Sequence, residues 1–221
     1  MTRVDAGERP RLVVATRSEH KLRELRQLLE VGRATLVSLD ELGVEGEPVE
    51  DGLTFETNAR IKARFAARAT GLPALADDSG IEVEALDGAP GVWTRRYAGP
   101  NATDDENNAK LLRELAGVPA GRRAARYVCV LALAVPDEGS PGGLRIIERR
   151  GTTRGRIAAE PRGSGGFGYD PLFEPAPERP GGRTFAEYSA SEKDAISHRG
   201  RAARRMAHVL DGLIEGRPPA S

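Results

Sequence analysis

Two segments of this chain combine residue types suited to holding a flat, polar anion. Gly163-Ser164-Gly165-Gly166-Phe167-Gly168-Tyr169-Asp170 packs glycines around an aromatic pair and ends in a carboxylate. Glycine adopts positive φ at little cost and lets backbone amides approach a ligand closely. Phe167 and Tyr169 offer stacking faces. Ser197-His198-Arg199, further along, supplies donors in a rigid geometry. Together they suit a nucleotide; the glycine loop alone reads equally well as a solvent-exposed turn.

A second chemistry comes from Asp77-Asp78-Ser79, which follows the apolar pair Leu75-Ala76. Neighbours on an extended chain point to opposite faces, so the two carboxylates are expected to do different jobs, one facing a ligand and one propping it. Carboxylates beside phosphate-binding amides suit Mg2+, which takes a few hard oxygen ligands from protein and the rest from substrate and water. Asp78, Asp77 and, in an upstream acidic loop, Glu50 are the candidate ligands. An acidic turn closing at Gly80, and for Glu50 a solvated charged loop, are the competing readings. Lysine usage adds a pointer. Of 33 basic residues, only Lys21, Lys62, Lys110 and Lys193 are lysine. In an arginine-rich chain, a remaining compact ammonium suits a phosphate contact.

The elements that position these residues follow from spacing and caps. Residues 11–16 predict a buried strand; Ser18 suits an N-cap for a helix with Leu22, Leu25, Leu28 and Leu29 on one side. Strand, polar turn and helix N-terminus make an anion-binding corner that contains Thr16, Ser18 and Lys21. Lys21 in the first helical turn opposes the macrodipole, so an anion is expected in front of it. A second strand at 34–38 leads through an acidic loop at 40–52 to a helix over 54–69, with Phe55, Ala59, Phe65, Ala66 and Ala69 toward the core. Residues 75–80 predict a strand end turning polar, and 81–86 a further strand. Thr103-Asp-Asp-Glu106 is a capping box, and 126–135 with 144–150 predict an antiparallel hairpin that 152–158 extends. A second capping box spans Thr184 and Glu187, Ser191 is the expected cap of the short helix holding Lys193, and a helix runs from residue 201 to a stop at Gly216. The fold expected is a single α/β domain over 11–215, with a central mixed, twisted sheet flanked by helices. Flexible segments are expected at 1–10 and 216–221.

Composition narrows the partners. The net charge is zero, so no global field recruits nucleic acid or a membrane surface. The longest apolar run, at 128–135, is far too short to span a bilayer. The start of the chain lacks the apolar core of a signal peptide, and the single cysteine, Cys129, permits no intrachain disulfide. These features predict a cytoplasmic protein without nucleic-acid or membrane partners. No Walker P-loop pattern occurs, which disfavours ATPases of that class.

In sequence order, the Thr16–Lys21 loop, Ala76-Asp-Asp-Ser-Gly80, Gly88-Ala-Pro-Gly91, Gly165-Gly-Phe-Gly-Tyr-Asp-Pro171 and the 192–200 segment make a specific set. The chain resembles the inosine triphosphate pyrophosphatase family over residues 12–213. That resemblance implies hydrolysis of noncanonical purine nucleoside triphosphates (ITP, dITP, XTP) to monophosphate and pyrophosphate, with Mg2+, in a cleft between two lobes of a homodimeric enzyme. It also implies residue roles. Thr16, Ser18 and Lys21 contact the triphosphate; Asp78 binds the metal and accepts the proton; Ser79 touches substrate. Phe167, Gly168, Tyr169 and Asp170 flank base and sugar, Lys193 contacts phosphate, and Ser197, His198 and Arg199 read the base edge. Trp93 and Tyr97 are candidate interface aromatics. Where the family has Gly-Asn, this chain has Arg17-Ser18, with Arg17 directed either to solvent or to the phosphates. The alternatives are a Maf-like pyrophosphatase, disfavoured by Ser-His-Arg, and a non-catalytic nucleotide sensor, disfavoured by Asp77 and Asp78.

Overall fold

Short runs of Val, Leu and Ala form the central strands, and helices begin where a side-chain oxygen meets their first free amides. The computed structural model describes residues 9–29 and 34–214. The expected 216–221 tail, the Gly216 stop and most of the expected N-terminal tail lie outside them. The strands are β1 (Arg11–Val14), β2 (Thr35–Ser38), β3 (Ala74–Val83), β4 (Ala124–Pro136), β5 (Leu144–Ile157) and β6 (Phe173–Pro175). The α-helices are α1 (Glu19–Leu28), α2 (Phe55–Thr70), α3 (Asp104–Glu114), α4 (Ala190–Ile196) and α5 (His198–Ile214). One sheet takes the strands in the order β2-β1-β3-β4-β5-β6. β1 pairs in parallel with β2 and with β3, whereas β5 and β6 are antiparallel, so the sheet is mixed as expected. Among the described residues no helix is long and apolar enough to cross a membrane.

Chain contacts group into two compact units. One comprises Met1–Asp78, Val130–Arg149 and Ala202–Ser221; the other comprises Ser79–Cys129 and Arg150–Arg201. β3 passes from the first to the second between Asp78 and Ser79. In the first unit, Val13, Val14, Leu25, Ala59, Ala63 and Leu75 are fully buried. Ser18 caps α1, and Thr54 caps α2 by accepting from the Thr57 amide. The buried stripe of α2 follows Phe55, Ala59, Ala63 and Ala67, spaced four residues apart on one helical ridge. Phe65 and Ala69, expected in the core, lie off that ridge: Phe65 is half-buried and Ala69 exposed. In the second unit, Ile81, Val83, Leu111, Leu115, Tyr127, Phe173 and Phe185 form the core.

Three local expectations are corrected. Asp77, Asp78 and Ser79 do not end a strand; they lie in the middle of β3, and residues 84–86 form a short 3-10 turn where the further strand was expected to continue. Ser189, not Ser191, caps α4, because Glu192 three residues after Ser189 completes a reciprocal capping box. α5 begins at His198, three residues early, because the Ser197 hydroxyl accepts from the Gly200 amide at 2.9 Å and caps it. A side chain at Gly200 would collide with the carbonyl of Asp194, so the tight α4–α5 junction requires glycine there.

Candidate active site

In the first unit, β1 delivers the chain to Thr16, whose hydroxyl accepts from the Ser18 amide at 3.2 Å. α1 then starts, with Lys21 in its first turn. The anion facing Lys21 is the chain's own. Its ammonium lies 2.8 Å from Asp77, whose carboxylate is fully buried. The next residue is matched in the same way: the Lys62 ammonium donates to Asp78 at 2.6 Å and also pairs with Glu50 at 3.0 Å. Strand alternation thus sends the two aspartates to different lysines, one from α1 and one from α2, which is how carboxylates come to be tolerated inside β3. Arg17, partly exposed, is engaged by the acidic loop. It pairs with Asp40 and donates to the carbonyls of Val44 and Gly46, both at 2.8 Å, so it pins the acidic loop that leads to Glu50.

In the second unit, the glycine-rich loop folds back over its own carboxylate. The Phe167 amide donates to Asp170 at 2.9 Å, and Lys193 donates to the same oxygen at 2.6 Å. Gly166 lies at φ 72°, and any side chain there would run into the Asp170 carboxylate, so the turn needs glycine twice over. From α3, Asp104 accepts from the Gly168 amide at 2.6 Å and Asn108 donates to the Gly168 carbonyl at 3.0 Å. Tyr169 turns into the core, and its hydroxyl donates to the Thr94 carbonyl at 2.9 Å. Phe167 remains the loop's outer aromatic, with the Lys193 ammonium 4.9 Å and the Arg199 guanidinium 5.6 Å from its ring centre. Arg199 is almost fully buried and donates to the Ser79 hydroxyl at 2.9 Å. The His198 ring stacks on Tyr127, 4.5 Å between centres and 6° from parallel.

Comparison with known proteins places this arrangement. The Ham1 family model matches residues 12–209. The chain belongs to the Ham1 family. A "dITP/XTP pyrophosphatase" of Geobacter sulfurreducens is 53% identical to it, covering 87% of this chain and 92% of that protein. One of the same description from Syntrophobacter fumaroxidans is 50% identical, covering 92% and 83%. Among solved structures, a HAM1 protein from Coxiella burnetii superposes with a TM-score of 0.80 at 44% identity, covering 91% of this chain and 98% of that one. The family resemblance drawn from the motifs therefore holds.

Within this Ham1 chain, the electrostatics of Asp78 and Lys62 suit proton and cation chemistry. Burial is the largest influence on Asp78 and, with the nearby Glu50, keeps its carboxyl above the usual range despite the pull of Lys62 and Lys21. Burial works against the Lys62 ammonium, but Asp78 and Glu50 more than offset it and hold its pKa above the ordinary lysine value. Asp78 and Glu50 both direct an oxygen at one cationic nitrogen. Two carboxylate oxygens converging on a point of positive charge form a donor set that fits Mg2+. Among the described residues there is no cluster of three or more His, Cys, Asp or Glu that could hold a metal ion.

Sequence reasoning singled out most of these residues but gave no role to Lys62, Asn108 or Tyr127. Lys62 had one signal, as one of four lysines in an arginine-rich chain. Asn108 and Tyr127 had none, since a polar residue on a helix and an aromatic in an apolar strand are ordinary.

Proposed function

We propose that this protein hydrolyses noncanonical purine nucleoside triphosphates (ITP, dITP and XTP) to the monophosphate and pyrophosphate. The observation that carries this reading is Asp78, a strand-borne carboxylate of raised pKa, converging with Glu50 on one cationic position. Family membership and relatives described as dITP/XTP pyrophosphatases support the substrate class.

In this reading Asp78 accepts a proton from the water that attacks the α-phosphorus; its raised pKa brings it nearer the working pH of a general base. Mg2+ held by Asp78 and Glu50 would neutralise phosphate oxygens and acidify the attacking water. Asp77 holds Lys21, and Asp170 holds Lys193. Lys21 and Lys193 would stabilise the charge that develops on the leaving pyrophosphate. Thr16 and Ser18 shape the phosphate corner, and Ser79 and Gly168 contact substrate. Phe167 stacks on the base. His198 and Arg199 read its edge: arginine only donates, so it suits the C6 carbonyl of hypoxanthine or xanthine and opposes the C6 amino group of adenine. The protein works in the cytoplasm on the free nucleotide pool, as a homodimer.

Product analysis tests this. Incubated with ITP and Mg2+, the protein should release IMP and pyrophosphate, with no IDP; an IDP peak would exclude attack at the α-phosphorus. In the same assay Asp78→Asn should lose at least about a hundredfold in turnover, and near-normal turnover would move the proton acceptor elsewhere.

A further inference from the structure

We propose that Tyr127 is a specificity-determining positioning residue, whose ring fixes the plane of the His198 imidazole and whose hydroxyl fixes the Asp170–Lys193 pair. The inference rests on the base-reading role of His198 proposed above, and adds a residue that no motif singles out.

Tyr127 lies on β4 and is itself immobilised. Phe173 meets its ring edge-on at 4.7 Å between centres, and Phe185 lies nearly parallel at 6.1 Å. The His198 ring stacks on the Tyr127 ring in parallel, 4.5 Å between centres. An imidazole that reads a base by hydrogen bonds must hold its ring plane, because donor direction turns with the ring. Position 198 is the first residue of α5, where the backbone fixes Cα and Cβ but leaves side-chain torsions open. Stacking on a rigid aromatic closes the remaining freedom.

The other end of Tyr127 reaches the phosphate side of the cluster. Its hydroxyl donates to one oxygen of Asp170 at 3.3 Å, while the other oxygen accepts from Lys193 at 2.6 Å and from the Phe167 amide at 2.9 Å. With each oxygen engaged by a different partner, the carboxylate cannot rotate without breaking a bond, and Lys193 is held in one place. A single buried residue therefore aligns the proposed base reader and the proposed phosphate lysine. A phenylalanine would supply only the first function.

The test uses Tyr127→Phe and Tyr127→Met, with His198→Ala as reference. In the substrate-free protein, the imidazole resonances of His198, identified by their loss in His198→Ala, should keep their ring-current shift in Tyr127→Phe and lose it in Tyr127→Met. Tyr127→Met should compress the ITP-over-ATP preference in kcat/KM by roughly fivefold, the scale of one aromatic pair. Tyr127→Phe should keep that preference and raise KM for both nucleotides about threefold, through the loosened Lys193. If His198→Ala leaves the preference intact, the base-reading role of His198 falls, whatever Tyr127 does. If His198→Ala abolishes the preference while Tyr127→Met, folded by circular dichroism, retains it, the ring's positioning role is overturned. Should Tyr127→Met not fold, Tyr127→Phe decides: an unchanged KM with both nucleotides overturns the proposal.

Discussion

A carboxylate leaves water only if an opposite charge replaces the lost hydration. Three buried aspartates meet this condition in the same way, each against a lysine: Asp77 with Lys21, Asp78 with Lys62, and Asp170 with Lys193. The fourth lysine, Lys110, lies over the Tyr97 ring and donates to its carbonyl at 2.8 Å. Scarce lysine is thus concentrated where a compact charge must fit beside a carboxylate. Lys62 is the informative one, because it stands where a divalent cation would satisfy the same two carboxylates. Lys62→Met removes the cation that Asp78 and Glu50 share, leaving Lys21 as the remaining charge that pulls on Asp78. Breaking such a pair costs about 3 kcal/mol, which for a chain of this size lowers Tm by roughly 6–12 °C in the absence of divalent cations. Added Mg2+ should then raise the Tm of the mutant by more than it raises that of the wild type. Equal shifts in thermal melts of the two proteins would mean that cation and lysine do not share a site.

Helix caps are the elements' own contribution to the site. Ser189 and Glu192 close a capping box at the start of α4, the helix that presents Lys193. Hydrogen bonds from the Ser189 amide and hydroxyl lead the causes that pull the Glu192 carboxyl down from 4.5 to about 2. A carboxyl whose pKa is lower in the folded state stabilises the fold when ionised. That contribution is complete above the unfolded value of 4.5 and disappears as pH falls toward about 2. Glu192→Gln, which cannot ionise, should therefore be less stable than wild type near neutral pH, and the gap should close as pH falls through that window. Urea unfolding of both proteins across the pH range measures it; a gap that stays constant would remove the charge from the cap. Arg17 works at the same scale, holding the 40–47 loop through backbone carbonyls and so steadying the approach to Glu50.

For the molecule as a whole, β3 carries Asp78 as the last residue of one compact unit and Ser79 as the first of the other. The proposed homodimer is a prediction at this scale. Trp93 is about half exposed and carries the Arg96 guanidinium 4.4 Å over its ring, an aromatic-arginine pair of the kind enriched at interfaces. Light scattering at micromolar concentration should give the mass of two chains, and Trp93→Ser should shift it toward one. A wild-type mass of one chain discards the dimer.

Local chemistry was legible from residue order alone. Ser18, Thr54 and the Thr103 capping box start helices where expected, since a cap is a contact between residues two or three apart. The motif set identified the family for a related reason: it lists residue types, and types are what a chain states outright. Partnership was not legible. That Asp77 belongs to Lys21 and Asp78 to Lys62, that the Asp-Asp-Ser segment is buried mid-strand and not a turn, and that Tyr127 lies beneath His198 all depend on which segments the sheet sets side by side. Charged residues in an extended segment look like a solvated turn until their counter-charges are known, and those counter-charges arrive on α1 and α2 only after β1 and β3 have paired.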